Sequence, residues 1–594
     1  TNTRKSPIAE NRHLLTAVLL CAAVIFGWQY FVAAPQMKAE KAHQAAISHQ
    51  EKKALEPGLK PNAPGISAPI SREAALKESG ARVTIDTPTV DGSLRLKGAR
   101  FDDLRLKKYR ETVDPKSPEI VLLAPQSTDY PYYAVFGWVA APGSNIAVPD
   151  DNTPWTLKSG GTLTPSHPIT LEWNNGHGLV FTRTITVDEQ YMFNVSDTVK
   201  NTGAAAATLY PYAYVARDGL PKTTHFWVLH EGFVGYAGGS AKYTKYDALK
   251  PDAPTQTFES TGGWIGITDK YWMASVIPPQ NEKFSGSYTI SKAGDATAYQ
   301  SDYRLDGRKI APGASLSVKH QLFAGAKVVK TLRDYESHYG IAGFDYAIDW
   351  GWFFFITRPM FLVLDEFYKL VGNFGIAILL LTVSVKLLFF PLADASYRSM
   401  SRMKKLQPEV EKVRTRFADD KVRQQQEMME LYKREKVNPV SGCLPMLIQV
   451  PVFFSLYKVL FVTIEMRHAP FFGWIRDLSA PDPTSIINLF GLLPYSVPHF
   501  IPALLSIGIW PILMGITQFV QTKLNPAPAD PVQAKMFLFM PLIFMFMLAT
   551  FPAGLVIYWT WNNLLSILQQ IIMMKRTGTP IQIFEDFKSA RAKT

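Results

Sequence analysis

Cysteine is nearly absent: Cys21 and Cys443 are the only two in 594 residues, and both lie in apolar segments. No disulfide framework exists. Cys21 does not read as a lipidation site either, because bulky Leu20 precedes it where a small residue would be expected. The chain also lacks the Walker lysine motif of nucleotide hydrolases, and HEGFV at His230 is missing the second histidine of a zinc protease. A net charge of +12 invites a nucleic-acid reading, but the basic residues flank apolar runs and build no basic face with a binding motif. Neither catalytic nor metal-ligating residues emerge, and no cofactor is implied.

What is present falls into an apolar N-terminus, a soluble-looking middle and an apolar last third. A chain this long needs two or more folding units. Residues 14–34 carry no charge and are long enough to cross a hydrocarbon layer of about 30 Å. A cleaved signal peptide has a shorter apolar region, and Pro35 would follow the cut, so residues 1–34 read as a cytoplasmic stub and an uncleaved anchor. Arg4, Lys5 and Arg12 hold the N-terminus inside. Residues 35–81, rich in Ala, Lys and Glu and then in Pro and Gly, form a tether.

From 82 to 340 the period becomes two. Phe181, Ile185, Val187, Tyr191, Phe193, Val195 and Val199 share one parity, while Thr182, Thr184, Thr186, Asp188, Asn194, Ser196 and Lys200 take the other. Such alternation makes half-buried antiparallel strands, and turn signals such as NNGHG between them predict a large β-sandwich outside the inner membrane. Residues 341–372 mix aromatics with charges and read as an amphipathic helix at headgroup level, broken near Pro359.

Residues 373–391 form the second membrane span. The loop 392–441 then carries, from Arg398 to Lys436, twelve Lys or Arg against seven Asp or Glu, which marks the cytoplasmic side. Met403, Leu406, Val410, Val413 and Phe417 set a heptad seam, and a second helix starts after ADD, so two antiparallel helices are expected. Residues 442–574 hold spans three to six, the last two turning at FPAG, and 575–594 is a cytoplasmic tail. The result is six spans with both ends inside.

NPVSGCLPMLIQVPVFFSLYKVL at 438–460 resembles the third span of the YidC-type membrane protein insertases. The agreement continues in GNFGIAILLLTVSVKLLFFPL, SMSRMKKLQPEV, APFFGWIRDLSAPDP and FPAGLVIYWTWNNLLSILQQ, in order across residues 340–575. Anchor and sandwich resemble the Gram-negative form, which implies a polytopic α-helical protein of the inner membrane with a periplasmic β-supersandwich and a cytoplasmic helical hairpin. The resemblance implies an insertase and chaperone for newly made membrane proteins. It works alone or with the Sec translocon, with ribosome and signal-recognition receptor as possible partners and lipids around it.

Two features depart from the family. Lys386 stands where the family carries arginine, which keeps the charge and loses the planar fork. SIINLFGLLPYSVPHF intervenes before the fourth span, and Pro494 and Pro498 make it an interfacial or re-entrant excursion rather than a span. A lysine in a span costs roughly 2.5–3.5 kcal/mol unless water, a partner or snorkelling relieves it. The family's hydrophilic groove, open to cytoplasm and lipid, would supply water. Lys386, Thr382, Gln449, Gln518, Tyr558, Asn562 and Asn563 are the expected lining, and Arg402, Lys404, Lys405, Arg414 and Arg416 the docking residues of the hairpin.

Two other classes compete. A solute transporter or channel would suit intramembrane polar groups, but no internal repeat is visible. A carbohydrate-active enzyme would need some of His167, His177, His225, His230 and His320 to converge with a carboxylate.

Overall fold

The computed structural model describes residues 69–221, 229–249, 256–293, 296–435, 444–493, 506–525 and 531–578. The expected anchor, the tether up to residue 68, Cys21, Cys443, His225, Pro494, Pro498 and the tail beyond 578 lie outside these residues.

The period-two region folds as two packed sheets. A ten-stranded sheet has Ala207–Asp218 in its middle, paired antiparallel with Tyr132–Ala140 and Ala296–Leu305. A nine-stranded sheet has Ser315–Ala326 in its middle, paired antiparallel with Met192–Asn201 and Trp272–Ile277. The apolar parity is buried as expected: Phe181, Ile185, Val187, Tyr191, Phe193, Val195 and Val199 all lie in the core, where Phe101 meets Phe193 edge to face at 5.4 Å.

The same buried parity carries a charge pair. Arg183 donates to both carboxylate oxygens of Asp197 at 2.7 and 2.8 Å, and to Phe136 O of the opposite sheet at 2.8 Å. Its guanidinium also lies over Trp155. One buried cation therefore ties the sheets together, tolerable because its charge is matched and its donors are used.

Eleven α-helices lie among the described residues. The short α1 (Arg72–Glu78) is capped by Ser71. Helix α2 (Val329–Tyr339) leaves the sandwich and stops at Gly340, whose φ of +66° suits glycine. Then come α3 (Phe354–Val371), α4 (Phe374–Leu388), α5 (Phe390–Lys405), α6 (Gln407–Arg416) and α7 (Lys421–Arg434). The last four are α8 (Leu444–Val462), α9 (Ile509–Leu524), α10 (Pro531–Leu548) and α11 (Ala553–Arg576).

Prolines account for three differences from expectation. Helix α3 runs unbroken through Pro359, which forfeits one backbone bond while Met360, Phe361 and Leu364 stay buried on the packed face. Pro391 does break its helix: it has no N–H for Leu387 O, so the expected span turns by 68° at Phe389 into α5. Pro408 likewise divides the expected first arm of the hairpin between α5 and α6. Asp420 caps α7, accepting the Arg423 N–H at 3.0 Å, and Gln424 Nε2 crosses to Arg414 O at 2.9 Å. Among the described residues no single helix is long and apolar enough to cross a membrane. The bent pair α4–α5 passes that test by length and composition.

The sandwich sits on the far end of α8. In the 3-10 turn Ile464–Met466, Glu465 Oε1 accepts the Val329 N–H at 2.9 Å, and Arg467 donates to Arg110 O at 2.5 Å. Lys458 pairs with Asp349 at 2.6 Å, and Lys270 lies 3.8 Å from the Phe461 ring centroid.

Candidate functional site

Helix α11 organises the polar side chains of the helical part. Tyr558, Asn562, Ser566 and Gln570 recur every fourth residue, so they form one buried stripe along the helix. Helices α8, α9 and α4 send polar side chains to α11, whereas α10 meets it through Phe544 against Trp559. Gln449 Nε2 of α8 donates to Tyr558 OH at 2.5 Å. From α9, Gln518 Oε1 accepts Trp559 Nε1 at 3.2 Å and Thr517 Oγ1 accepts Asn563 Nδ2 at 3.2 Å. Gln570 Nε2 donates to Asn525 Oδ1 at 3.1 Å, just beyond the end of α9.

Lys386 of α4 completes the seam. Its ammonium donates to Ser566 Oγ at 2.7 Å, and that hydroxyl passes its own hydrogen to Asn562 O at 2.7 Å. A hydroxyl can do both because it has one donor and two lone pairs. Lys386 is half-buried, and it forms no ion pair among the described residues. Beside it Leu387 and Leu388 are 67% and 73% exposed. The cation thus stands at the boundary between a polar seam and an outward apolar edge.

Six of the seven expected lining residues are joined through α11. Asn562 enters by its carbonyl oxygen, and the rest by side chains. Thr382 is not brought to the ammonium: buried, it returns its hydroxyl to Ile378 O at 2.7 Å. Sequence reasoning missed Ser566, Thr517, Trp559 and Gln570. The four-residue stripe on α11 was the available signal for Ser566 and Gln570.

Several buried polar atoms find no partner among the described residues: Ser455 Oγ and Tyr457 OH on α8, Gln521 Oε1 on α9, and Trp561 Nε1, Gln569 Nε2 and Gln570 Oε1 on α11. Buried polar atoms without a hydrogen-bond partner among the described residues also occur in the sandwich, on Arg95, Ser275 and Tyr288.

The expected docking residues divide. Arg402 and Arg416 are exposed and Arg414 is half-buried, on α5 and α6. Lys404 is buried, because helical spacing puts it with Tyr397 and Met400 on the face of α5 that packs on α11. Lys405 donates to Thr577 O at 2.7 Å, where a cation suits the C-terminal end of α11.

The histidines lie on separate elements. His167 and His177 are exposed in different turns, His230 Nε2 meets Phe233 O at 2.8 Å, and His320 Nδ1 meets Tyr303 OH at 2.6 Å. Burial lowers the pKa of His230 and of His320 to about 4, so both stay neutral.

Two family models match the chain: the YidC periplasmic domain over residues 82–363 and the 60Kd inner membrane protein over residues 366–579. A protein of Rhizobium meliloti named membrane protein insertase YidC is 51% identical over 593 residues, covering 98% of this chain and 99% of that one. The protein of that name from Methylobacterium radiotolerans is also 51% identical, covering 98% of this chain and 97% of its own. Among solved structures, an active YidC insertase with its first transmembrane domain resolved is 17% identical, covers 82% of this chain and 91% of that one, and superimposes with a TM-score of 0.34.

Proposed function

The chain belongs to the YidC family of membrane protein insertases, and from that premise we propose that the seam along α11 is the groove in which it handles its substrates. A membrane protein under insertion must carry a hydrophilic segment across hydrocarbon, and the barrier is the loss of water around polar and charged groups. Lys386, Gln449, Gln518, Tyr558, Asn562 and Asn563 with Ser566 keep a polar path inside the helices. Acidic groups of the passenger meet the Lys386 ammonium as a temporary counterion, while the passenger's apolar span leaves past Leu387 and Leu388 into lipid. No bond is made or broken in this process.

The observation that carries the reading is Lys386 held by a hydroxyl and, among the described residues, by no carboxylate. A structural lysine buried in a bundle would be paired to cancel its desolvation. An ammonium kept unpaired at the edge of a polar seam is free to take a transient anionic partner. The proposed topology has six spans with both ends in the cytoplasm and the sandwich in the periplasm. Contact of the sandwich with the outer end of α8 supports that direction. Arg402, Arg414 and Arg416 are offered to the cytoplasm, where ribosome, signal-recognition receptor and Sec translocon are the expected partners.

The test is insertion in proteoliposomes with Lys386→Arg, Lys386→Ala and Lys386→Glu. Arginine should insert like the native chain. Alanine should slow substrates with acidic translocated segments by roughly tenfold, the factor that about 1.4 kcal/mol of lost stabilisation gives, and glutamate more. Normal insertion of every substrate by the alanine variant would refute the role of the charge.

A further inference from the structure

We infer that residues 486–493 are a lipid wedge: their apolar side chains enter the periplasmic leaflet beside α9 and anchor that end of the helical domain to the bilayer. The inference rests on the reading that α9 crosses the membrane. Between Asp482 and Lys523 the sequence has no Asp, Glu, Lys or Arg, so loop and helix form one uncharged stretch. Within it Ile486, Leu489, Phe490, Leu492 and Leu493 are all exposed, Leu492 by 83% and Leu489 by 52%. Such a patch in water would be an aggregation liability.

Its base is firmly built. Asp482 Oδ2 accepts the Trp510 N–H at 2.9 Å and Thr484 Oγ1 the Ile509 N–H at 3.0 Å, capping the first turn of α9. Ser506 Oγ reaches Ser485 Oγ at 2.9 Å and Ile486 N reaches Ile507 O at 3.0 Å, which pinches the loop shut. The tip therefore departs from the end of a helix whose own outward residues, Leu513, Ile516 and Phe519, are exposed and apolar, so the surface is continuous with the lipid-facing side of the bundle. That end is on the sandwich side, because the loop joins α8 to α9 just after the turn that contacts the sandwich. Trp474, bonded to Asp482 Oδ1 at 3.1 Å, stands at the level where tryptophan prefers to sit.

Five of the seven backbone donors from Ile487 to Leu493 have local partners. Ile487 N–H goes to Ser485 Oγ, Phe490 N–H to Ser485 O, Gly491 N–H to Asn488 Oδ1, Leu492 N–H to Leu489 O and Leu493 N–H to Asn488 O. Leu489 and Phe490 take left-handed conformations, φ +49° and +60°, to make that closure. Exposed apolar side chains thus stand over a backbone most of whose donors are satisfied, which suits shallow entry at the acyl boundary.

The experiment uses the full chain with Cys21→Ser and Cys443→Ser, reconstituted in phosphatidylcholine and phosphatidylglycerol vesicles. A bimane label is placed in turn on Leu492→Cys, on Leu513→Cys in α9 and on Lys158→Cys at the exposed edge of the sandwich. Spin-labelled lipids quench it from near the headgroup or from the chain end. The label at position 492 should lose most of its emission to the headgroup-proximal quencher and less to the chain-end quencher, with no substrate present, while the label at 158 is unaffected. Quenching at 513 without quenching at 492 would overturn the wedge and leave the membrane reading intact. Absence of quenching at both would overturn both. A response at 492 only after a substrate protein is added would make the loop a substrate contact and likewise overturn it.

Discussion

Replacing Glu465 by glutamine should abolish a pH response in the joint between the sandwich and the helices. Helix α2 begins at Val329 after Val328, whose side chain cannot cap, and the missing acceptor comes from Glu465 at 2.9 Å. The other carboxylate oxygen is buried with no partner among the described residues. Burial raises the Glu465 pKa to about 7 from an ordinary 4.5; Asp365 nearby adds to the rise, and the backbone N–H groups of Val329 and Glu465 oppose it. Tyr109 faces the same spot, whereas Arg467 spends its guanidinium on Arg110 O and Glu111 O.

The joined state therefore holds the proton more tightly than the separated one. Its stability is fullest below about 4.5 and is lost as pH rises through about 7. A shift of that size corresponds to about 3 kcal/mol, or roughly a hundredfold in the equilibrium for opening. Amide hydrogen exchange in the first turn of α2, corrected for the intrinsic rate at each pH, reads that equilibrium in the reconstituted full chain. Native protein should lose protection steadily from acid to slightly alkaline conditions. The glutamine variant keeps the acceptor and cannot ionise, so its protection should stay flat and exceed the native value at the alkaline end. An unchanged slope in that variant would refute Glu465 as the titrating group.

Two further predictions concern the sandwich and the seam. Asp197→Ala strands the Arg183 guanidinium between the sheets and should destabilise the sandwich by about 3–5 kcal/mol, read by near-ultraviolet circular dichroism on heating; Arg183→Met with Asp197→Leu should recover much of the loss. Gln449→Leu leaves Tyr558 OH buried without its partner and should cost about 1–3 kcal/mol. Adding Tyr558→Phe should restore the melting temperature but leave insertion of substrates with polar translocated segments impaired, since the seam has then lost two polar groups.

Strand alternation made the sandwich legible because each core side chain announces itself by parity alone. Arg183 and Asp197 obey that parity too, yet a charge at an inward position looks like an exception until its partner is known, and the partner is set by cross-strand register. Prolines were harder to weigh. Pro359 is absorbed where three buried apolar residues hold the turn, whereas Pro391, between exposed Leu388 and a polar helix, has nothing to hold it straight. The groove residues were readable one by one as polar groups in apolar helices. Their meeting on α11 depended on how the helices pack, and the burial of Lys404 was hidden because a cationic run looks uniform in sequence although a helix turns one member of it inward.

The two ends of the helical domain are built differently, and the difference bears on which way the groove opens. On the sandwich side the chain is stitched through its backbone: Ala553 N–H bonds Ala480 O at 2.7 Å and Gly554 N–H bonds Leu478 O at 3.0 Å. A Cβ on Gly375 would come within 1.9 Å of the Phe471 ring, and one on Gly508 within 2.6 Å of the Asp482 carboxyl carbon, so side chains fill that end completely. At the other end Lys386 donates to the Ser566 hydroxyl and Lys405 to the Thr577 carbonyl, beside a small apolar contact of Tyr397 and Met400 with Met573, and Leu387 and Leu388 are exposed. Backbone stitching and close packing resist opening, whereas the hydrogen bonds from the two ammonium groups contribute about 1.5–3 kcal/mol each and are fewer ties. The proposed groove accordingly predicts that a polar passenger enters where Lys386 stands and stops beneath the sandwich, the asymmetry that insertion from the cytoplasm would require.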